Sequence, residues 1–219
     1  MSLKALLEET VAASVNKFPP EVLTIIKQSA AELEAKGVGD DALKAGDQLP
    51  DAVLADANGD PVAIASLLAG GPLIINFYRG GWCPYCNFEL KAYQQLLSEI
   101  HSLGGQLVAI TPEKPDNSLT TIEKNELKFP VLTDKGNAFA KALGIAFELP
   151  EQLQATYEGF GLDLPSNNDD DNWTLPIPAT LVVKASGEIV LAHVDRDYTK
   201  RLEPSDALAA LKSSLVNAI

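Results

Sequence analysis

A short apolar run, Leu73 to Tyr78, leads through Arg79-Gly80-Gly81-Trp82 into Cys83-Pro84-Tyr85-Cys86 and then into a helical pattern. Strand, tight turn and helix in direct succession demand a layered arrangement of sheet and helices. The two cysteines of this stretch are the only ones in the chain, so no disulfide framework can staple the fold. A C-x-x-C pair at a strand-to-helix junction reads first as a redox site.

The rest of the chain repeats the alternation. Ala52 to Ala55 and Val62 to Ile64 flank Asn58-Gly59, a hairpin signal. Pro84 to Leu103 is a predicted helix with Phe88, Leu90, Tyr93, Leu96, Leu97 and Ile100 on its apolar side, stopped by Gly104-Gly105. Strands are predicted at Gln106 to Thr111 and Phe129 to Thr133, with helices at Asn117 to Leu127 and Asn137 to Leu143. Thr180 to Lys184 and Ile189 to His193 form a hairpin around Ser186-Gly187, and Pro204 to Val216 is the closing helix. This order implies a mixed sheet covered on both faces. The stretch Gly144 to Trp173 fits least well, with a helix at Glu151 to Tyr157 and a polar loop at Ser166 to Asn172. Residues 2 to 36 read as two helices broken at Phe18-Pro19-Pro20. Two units follow: a helical extension, 1–45, and an α/β domain, 46–219.

Charge narrows the partners. The net charge is −13, which disfavours nucleic acid and anionic membranes. No run approaches the roughly 18 apolar residues of a membrane span. Glu8 and Glu9 interrupt the first apolar residues, so no secretory leader is expected and a reducing cytoplasm is the expected compartment. The helical pair offers a surface for a homodimer. Asp169-Asp170-Asp171 lacks the spaced ligands of a calcium loop and reads as solvated.

Pro84 suits the first helical position, where its missing N–H has no intrahelical partner. Cys83 then becomes the N-cap and Cys86 a first-turn residue. Both sulfurs sit near the positive end of the helix dipole, which favours a thiolate. Spacing of i and i+3 puts them on one face, close enough for a disulfide. A zinc site fails on ligand count, because only His101 and His193 remain as further ligands. Gly80-Gly81 ahead of the pair favours an exposed loop over two inert buried thiols. Arg79 reads either as a cation near the thiols or as a surface charge. His193 reads as a satisfied structural histidine, and Lys200-Arg201 as part of a polar loop with weak ion pairs.

Trp82-Cys83-Pro84-Tyr85-Cys86 resembles the thioredoxin active site, with a glutaredoxin-like C-P-Y-C core. The wider segment Asn76 to Cys86 is similar to the peroxiredoxin, or alkyl hydroperoxide reductase/thiol-specific antioxidant, family. So are Pro178-Ala179-Thr180-Leu181-Val182-Val183 and Gly187-Glu188-Ile189. The resemblance runs from residue 46 to about residue 216. It implies a thioredoxin-like α/β fold, a central mixed sheet flanked by helices, with the N-terminal helical extension added. The peroxiredoxin motif places its proline on Arg79, its Thr/Ser on Cys83 and its peroxidatic cysteine on Cys86. The family's activating arginine falls near Pro178 and is missing there. The thioredoxin motif makes Cys83 the nucleophile and places a cis-proline at Pro178.

The expected function is a thiol-dependent antioxidant oxidoreductase that reduces hydrogen peroxide or organic hydroperoxides through Cys83 and Cys86. Trp82, Arg79, Pro178 and Thr180 support the pair. An external reductant of thioredoxin or glutathione type is implied, with no cofactor and no metal. The alternatives are a disulfide reductase with Cys83 as nucleophile, and a redox-inactive binding module.

Overall fold

The computed structural model describes residues 2–216; residues 1 and 217–219, at the outer ends of the two expected units, lie outside the described residues. The extension supplies α1 (Leu3–Ser14) and α2 (Pro20–Ala35), the break falling at the expected prolines. Ser2 caps α1, its hydroxyl accepting from the Ala5 amide at 3.2 Å. The Glu203 carboxylate, remote in sequence, accepts the Leu3 and Lys4 amides at 3.2 and 2.7 Å and ties this helix end to the far end of the chain.

The strands β1 (Val53–Ala55) and β2 (Pro61–Ala63) form the expected hairpin, and α3 (Ile64–Leu68) follows at once. Next come β3 (Leu73–Phe77), α4 (Pro84–Ser102), β4 (Gln106–Thr111), α5 (Pro115–Asn125), β5 (Val131–Thr133) and α6 (Ala138–Ala142). The chain then forms β6 (Ala146–Glu148), α7 (Glu151–Gly159), α8 (Leu164–Asn168) and β7 (Thr174–Pro176). It closes with β8 (Ala179–Val183), β9 (Ile189–Val194) and α9 (Pro204–Val216).

Seven strands make one sheet in the order β2-β1-β5-β4-β3-β8-β9. The central strands β3, β4 and β5 run parallel; β8 and β9 are antiparallel additions on one side, β1 and β2 on the other. This is the predicted mixed sheet. Period-2 alternation sends successive residues of β3 to opposite faces. Ile74 and Tyr78 join the core under α4 and α9, while Leu73, Ile75 and Phe77 join the core under α3 and α6. Each such buried side chain is worth roughly 1.5–3 kcal/mol relative to exposure. Leu3 and Leu7 of α1 enter the same core as Tyr85, Cys83 and Cys86. Truncating Leu7→Ala there is expected to cost about 2–5 kcal/mol in urea unfolding.

The stretch that fitted least well forms its own small layer. A hairpin of β6 and β7 pairs Phe147 with Leu175 across a long connection. Leu149, Leu153, Tyr157, Leu164 and Leu175 pack together beneath it, against Ile25 and Ile26 of α2 and against Trp82. The expected polar loop from Ser166 is partly the short helix α8, which the Asp163 carboxylate caps by accepting the Ser166 amide at 3.1 Å.

Candidate active site

Cys83 is the N-cap of α4 in extended conformation, and Pro84 opens the helix. The strand leads there through a tight turn in which the Cys83 amide donates to the Gly80 carbonyl at 3.1 Å. The loop is not exposed, contrary to the expectation drawn from its two glycines. Gly80 is buried, and Cys83 and Cys86 are 1% and 0% exposed. Close packing explains the glycines. A Cβ on Gly80, at φ +154°, meets Trp82 Nε1 at 2.2 Å, and one on Gly81 meets Thr121 Oγ1 at 2.2 Å. The Asn87 side chain braces the turn by donating to the Gly81 and Cys83 carbonyls at 2.8 Å each. Asn125 in turn donates to Asn87 Oδ1 at 2.7 Å.

Two guanidiniums flank the thiols. Arg79 is 3% exposed, not a surface charge. It donates to the Tyr157 hydroxyl. Its charge lies over three rings, 4.9 Å from Trp82, 5.7 Å from Tyr157 and 4.4 Å from Tyr198. Arg201 comes from the loop between β9 and α9. Its Nη2 stands 3.5 Å from Cys86 Sγ, and its Nε bonds Glu89 at 2.7 Å, both side chains being 1% exposed. The expectation of a weak, solvated pair at Arg201 is therefore overturned. Arg201 thus brings a buried cation to the thiols from a loop remote from Pro178 in sequence.

The thiols are free, and each acts on the other's ionisation. Burial opposes ionisation at both. At Cys83 the hydrogen bond from Cys86 and the charges of Arg79 and Arg201 outweigh burial, and the thiol is pulled down to about 6. At Cys86 burial prevails, reinforced by the neighbouring Cys83, so this thiol is pushed up. Burial likewise pushes the Glu89 carboxyl up to about 7, against the pull of Arg201.

Thr180 lies beneath this group. Its hydroxyl accepts from Asn76 at 3.3 Å and is 3.2 Å from the Tyr93 hydroxyl. Pro178 borders a cavity of about 40 Å³ together with Arg79, Tyr157 and Tyr198. No cis peptide occurs among the described residues, so Pro178 does not carry the cis bond that the thioredoxin likeness implies. His193 is not satisfied: its Nε2 is buried without a partner, and burial lowers its basicity.

Arg201, Glu89, Glu113, Asn87, Tyr157 and Tyr198 escaped sequence reasoning. Glu89 alone carried a signal. It sits on the helical stripe of Cys86, Leu90, Tyr93 and Leu97, where a charge is out of place unless paired.

The sheet, the helix-capped dithiol and the flanking cations define a thioredoxin-fold thiol oxidoreductase. A family model described as the AhpC/TSA family matches residues 45–192, and the chain belongs to that family. Residues 1–44, Tyr198 and Arg201 lie outside the matched residues. The chain is 25% identical to the thiol-disulfide oxidoreductase ResA of Halalkalibacterium halodurans over 151 residues, 68% of each chain. It is 26% identical to the chloroplastic peroxiredoxin Q of Populus jackii over 100 residues, 46% of each. Among solved structures, the peroxidoxin BcpB of Mycobacterium tuberculosis shares the fold at a TM-score of 0.62 and 20% identity, covering 78% of this chain and 97% of that one.

Proposed function

We propose that the protein is a thiol peroxidase in which Cys83 attacks and Cys86 resolves. The observation that carries this reading is the buried thiol pair at the head of α4, Cys83 at the N-cap and Cys86 one turn on, with Arg201 Nη2 3.5 Å from Cys86 Sγ. The Cys83 thiolate attacks the terminal oxygen of a hydroperoxide: an S–O bond to that oxygen forms, the O–O bond breaks, and the other oxygen departs as water or an alcohol after taking a proton. The two guanidiniums stabilise the charge that moves onto the leaving oxygen. Cys86 then loses its proton and attacks the sulfenic sulfur, releasing water and closing the Cys83–Cys86 disulfide. Among the described residues these are the only sulfurs of cysteine, so the disulfide is this one or an intermolecular one.

Trp82, Arg79, Pro178 and Thr180 serve this reading as supporting residues. A thioredoxin- or glutathione-type thiol restores the pair. A cytoplasmic setting and a homodimer belong to the same reading; no helix among the described residues is long and apolar enough to cross a membrane. Disulfide reduction is the second reading, favoured by the ResA relative.

One equivalent of hydrogen peroxide added to reduced protein is expected to remove both titratable thiols and yield the Cys83–Cys86 disulfide on peptide mapping. The reaction is expected to run far faster than with free cysteine at the same pH. A peroxide rate no faster than free cysteine, with rapid reduction of insulin disulfides, would transfer the function to the second reading.

A further inference from the structure

We propose that Glu113 is a positioning residue for the thiol pair: its carboxylate holds the Gly81 amide and so fixes the turn that presents Cys83 at the head of α4. This rests on the Cys83 reading above. Glu113 follows β4, on the strand end next to β3, and is 3% exposed. Its Oε2 accepts the Gly81 amide at 2.7 Å.

A buried carboxylate is almost always paired with a cation. Glu113 has no salt bridge among the described residues, unlike Glu89 with its Arg201. Lys114, its neighbour in sequence, turns away to the Ser166 carbonyl at 3.2 Å. The carboxyl is instead built into the glycine turn. A Cβ on Gly80 lies 2.9 Å from Glu113 Cδ, and one on Gly81 lies 3.6 Å from its Oε2. The residue's own backbone is held as well, its carbonyl accepting from Thr133 Oγ1 at 2.8 Å. The two glycines, the carboxylate and the N-cap therefore form one packed unit. A carboxylate accepts an amide hydrogen bond more strongly than a carboxylic acid does.

The titratable groups that couple to Glu113 are Cys86 from α4 and Tyr78 at the end of β3; α5 and β5 present only the Thr121 and Thr133 hydroxyls. Burial pushes the Glu113 carboxyl up to about 7, against the pull of the Gly81 hydrogen bond. The turn thus tightens as pH rises through neutrality. The Glu113 charge also opposes a thiolate on Cys86.

Iodoacetamide alkylation of Cys83, followed against pH by peptide mapping, tests this without relying on peroxide turnover. The wild-type rate is expected to rise in two steps, near 6 with Cys83 and near 7 with Glu113. Glu113→Gln keeps an acceptor for the Gly81 amide and loses the charge, so the second step disappears and the first remains. Glu113→Ala loses the anchor, and alkylation near pH 7 falls about fivefold or more. A Glu113→Gln profile that superimposes on the wild type overturns the proposal, even where the alanine variant does not fold. So does a folded Glu113→Ala protein with wild-type alkylation. Loss of peroxide reduction with both steps intact would count against the peroxidase reading alone.

Discussion

Cys83→Ser is expected to lower the peroxide rate by about 10³-fold or more, because it removes the N-cap thiol that the neighbouring cations draw toward its thiolate form. A thiol brought down to about 6 is roughly 90% ionised at neutral pH. Cys86 is pushed the other way, chiefly by burial. Serine at position 83 cannot replace the nucleophile, since its hydroxyl stays protonated. Cys86→Ser behaves differently. The attacking thiol and the cations beside it are untouched, so the first step survives within about tenfold. The reaction then stops at the sulfenic acid, because no second thiol follows. One peroxide is consumed per protein, dimedone labels Cys83, and steady-state turnover ceases. Stopped-flow peroxide consumption combined with intact mass measurement reads both variants. The reverse pattern, with the first step lost in Cys86→Ser and kept in Cys83→Ser, assigns attack to Cys86, the position the peroxiredoxin motif nominates.

Periodicity sees what lies along one element and is blind to what meets across elements, and the site divides on that line. Cys83, Pro84 and Cys86 sit in one strand–turn–helix unit, so their N-cap and first-turn positions were legible from local rules. The fully buried β3 and the closing helix α9 were legible for the same reason. The β6–β7 hairpin was not, because its three-residue strands lie on either side of α7 and α8. Arg201 was misread because a polar run after a last strand looks solvated; only the returning chain puts its guanidinium against Glu89 and Cys86. Gly80-Gly81 was legible as a turn and misread as exposed. A glycine records that a side chain does not fit, and here the obstruction is Trp82, Thr121 and Glu113 rather than open solvent around a flexible loop.

Arg201→Met is expected to be the most damaging change outside the cysteines, acting on stability and chemistry together. The Arg201–Glu89 pair is buried on both sides, and removing one partner of such a pair costs about 3–5 kcal/mol. Glu89 limits the loss by protonating, its carboxyl already standing near 7 through burial. A cost of about 3 kcal/mol then remains, which in a chain of this size lowers the melting temperature by roughly 6–12 °C. The double variant Glu89→Gln/Arg201→Met removes the isolated acid and is expected to recover more than half of that loss, since a buried pair replaced as a unit is often nearly neutral. Reactivity follows a different course. Arg201 helps draw Cys83 down and stands 3.5 Å from Cys86 Sγ, so both variants lose that cation. The alkylation midpoint of Cys83 therefore moves upward in the single and the double variant alike, and the peroxide rate at pH 7 falls in both. Glu89→Gln alone leaves the midpoint nearly in place, because a carboxyl standing near 7 is mostly neutral where Cys83 titrates and Arg201 is retained. Thermal melts and pH-dependent alkylation on the three variants separate the two roles. A double variant that regained wild-type reactivity along with its stability would reduce Arg201 to a packing group and leave Arg79 as the cation of the site.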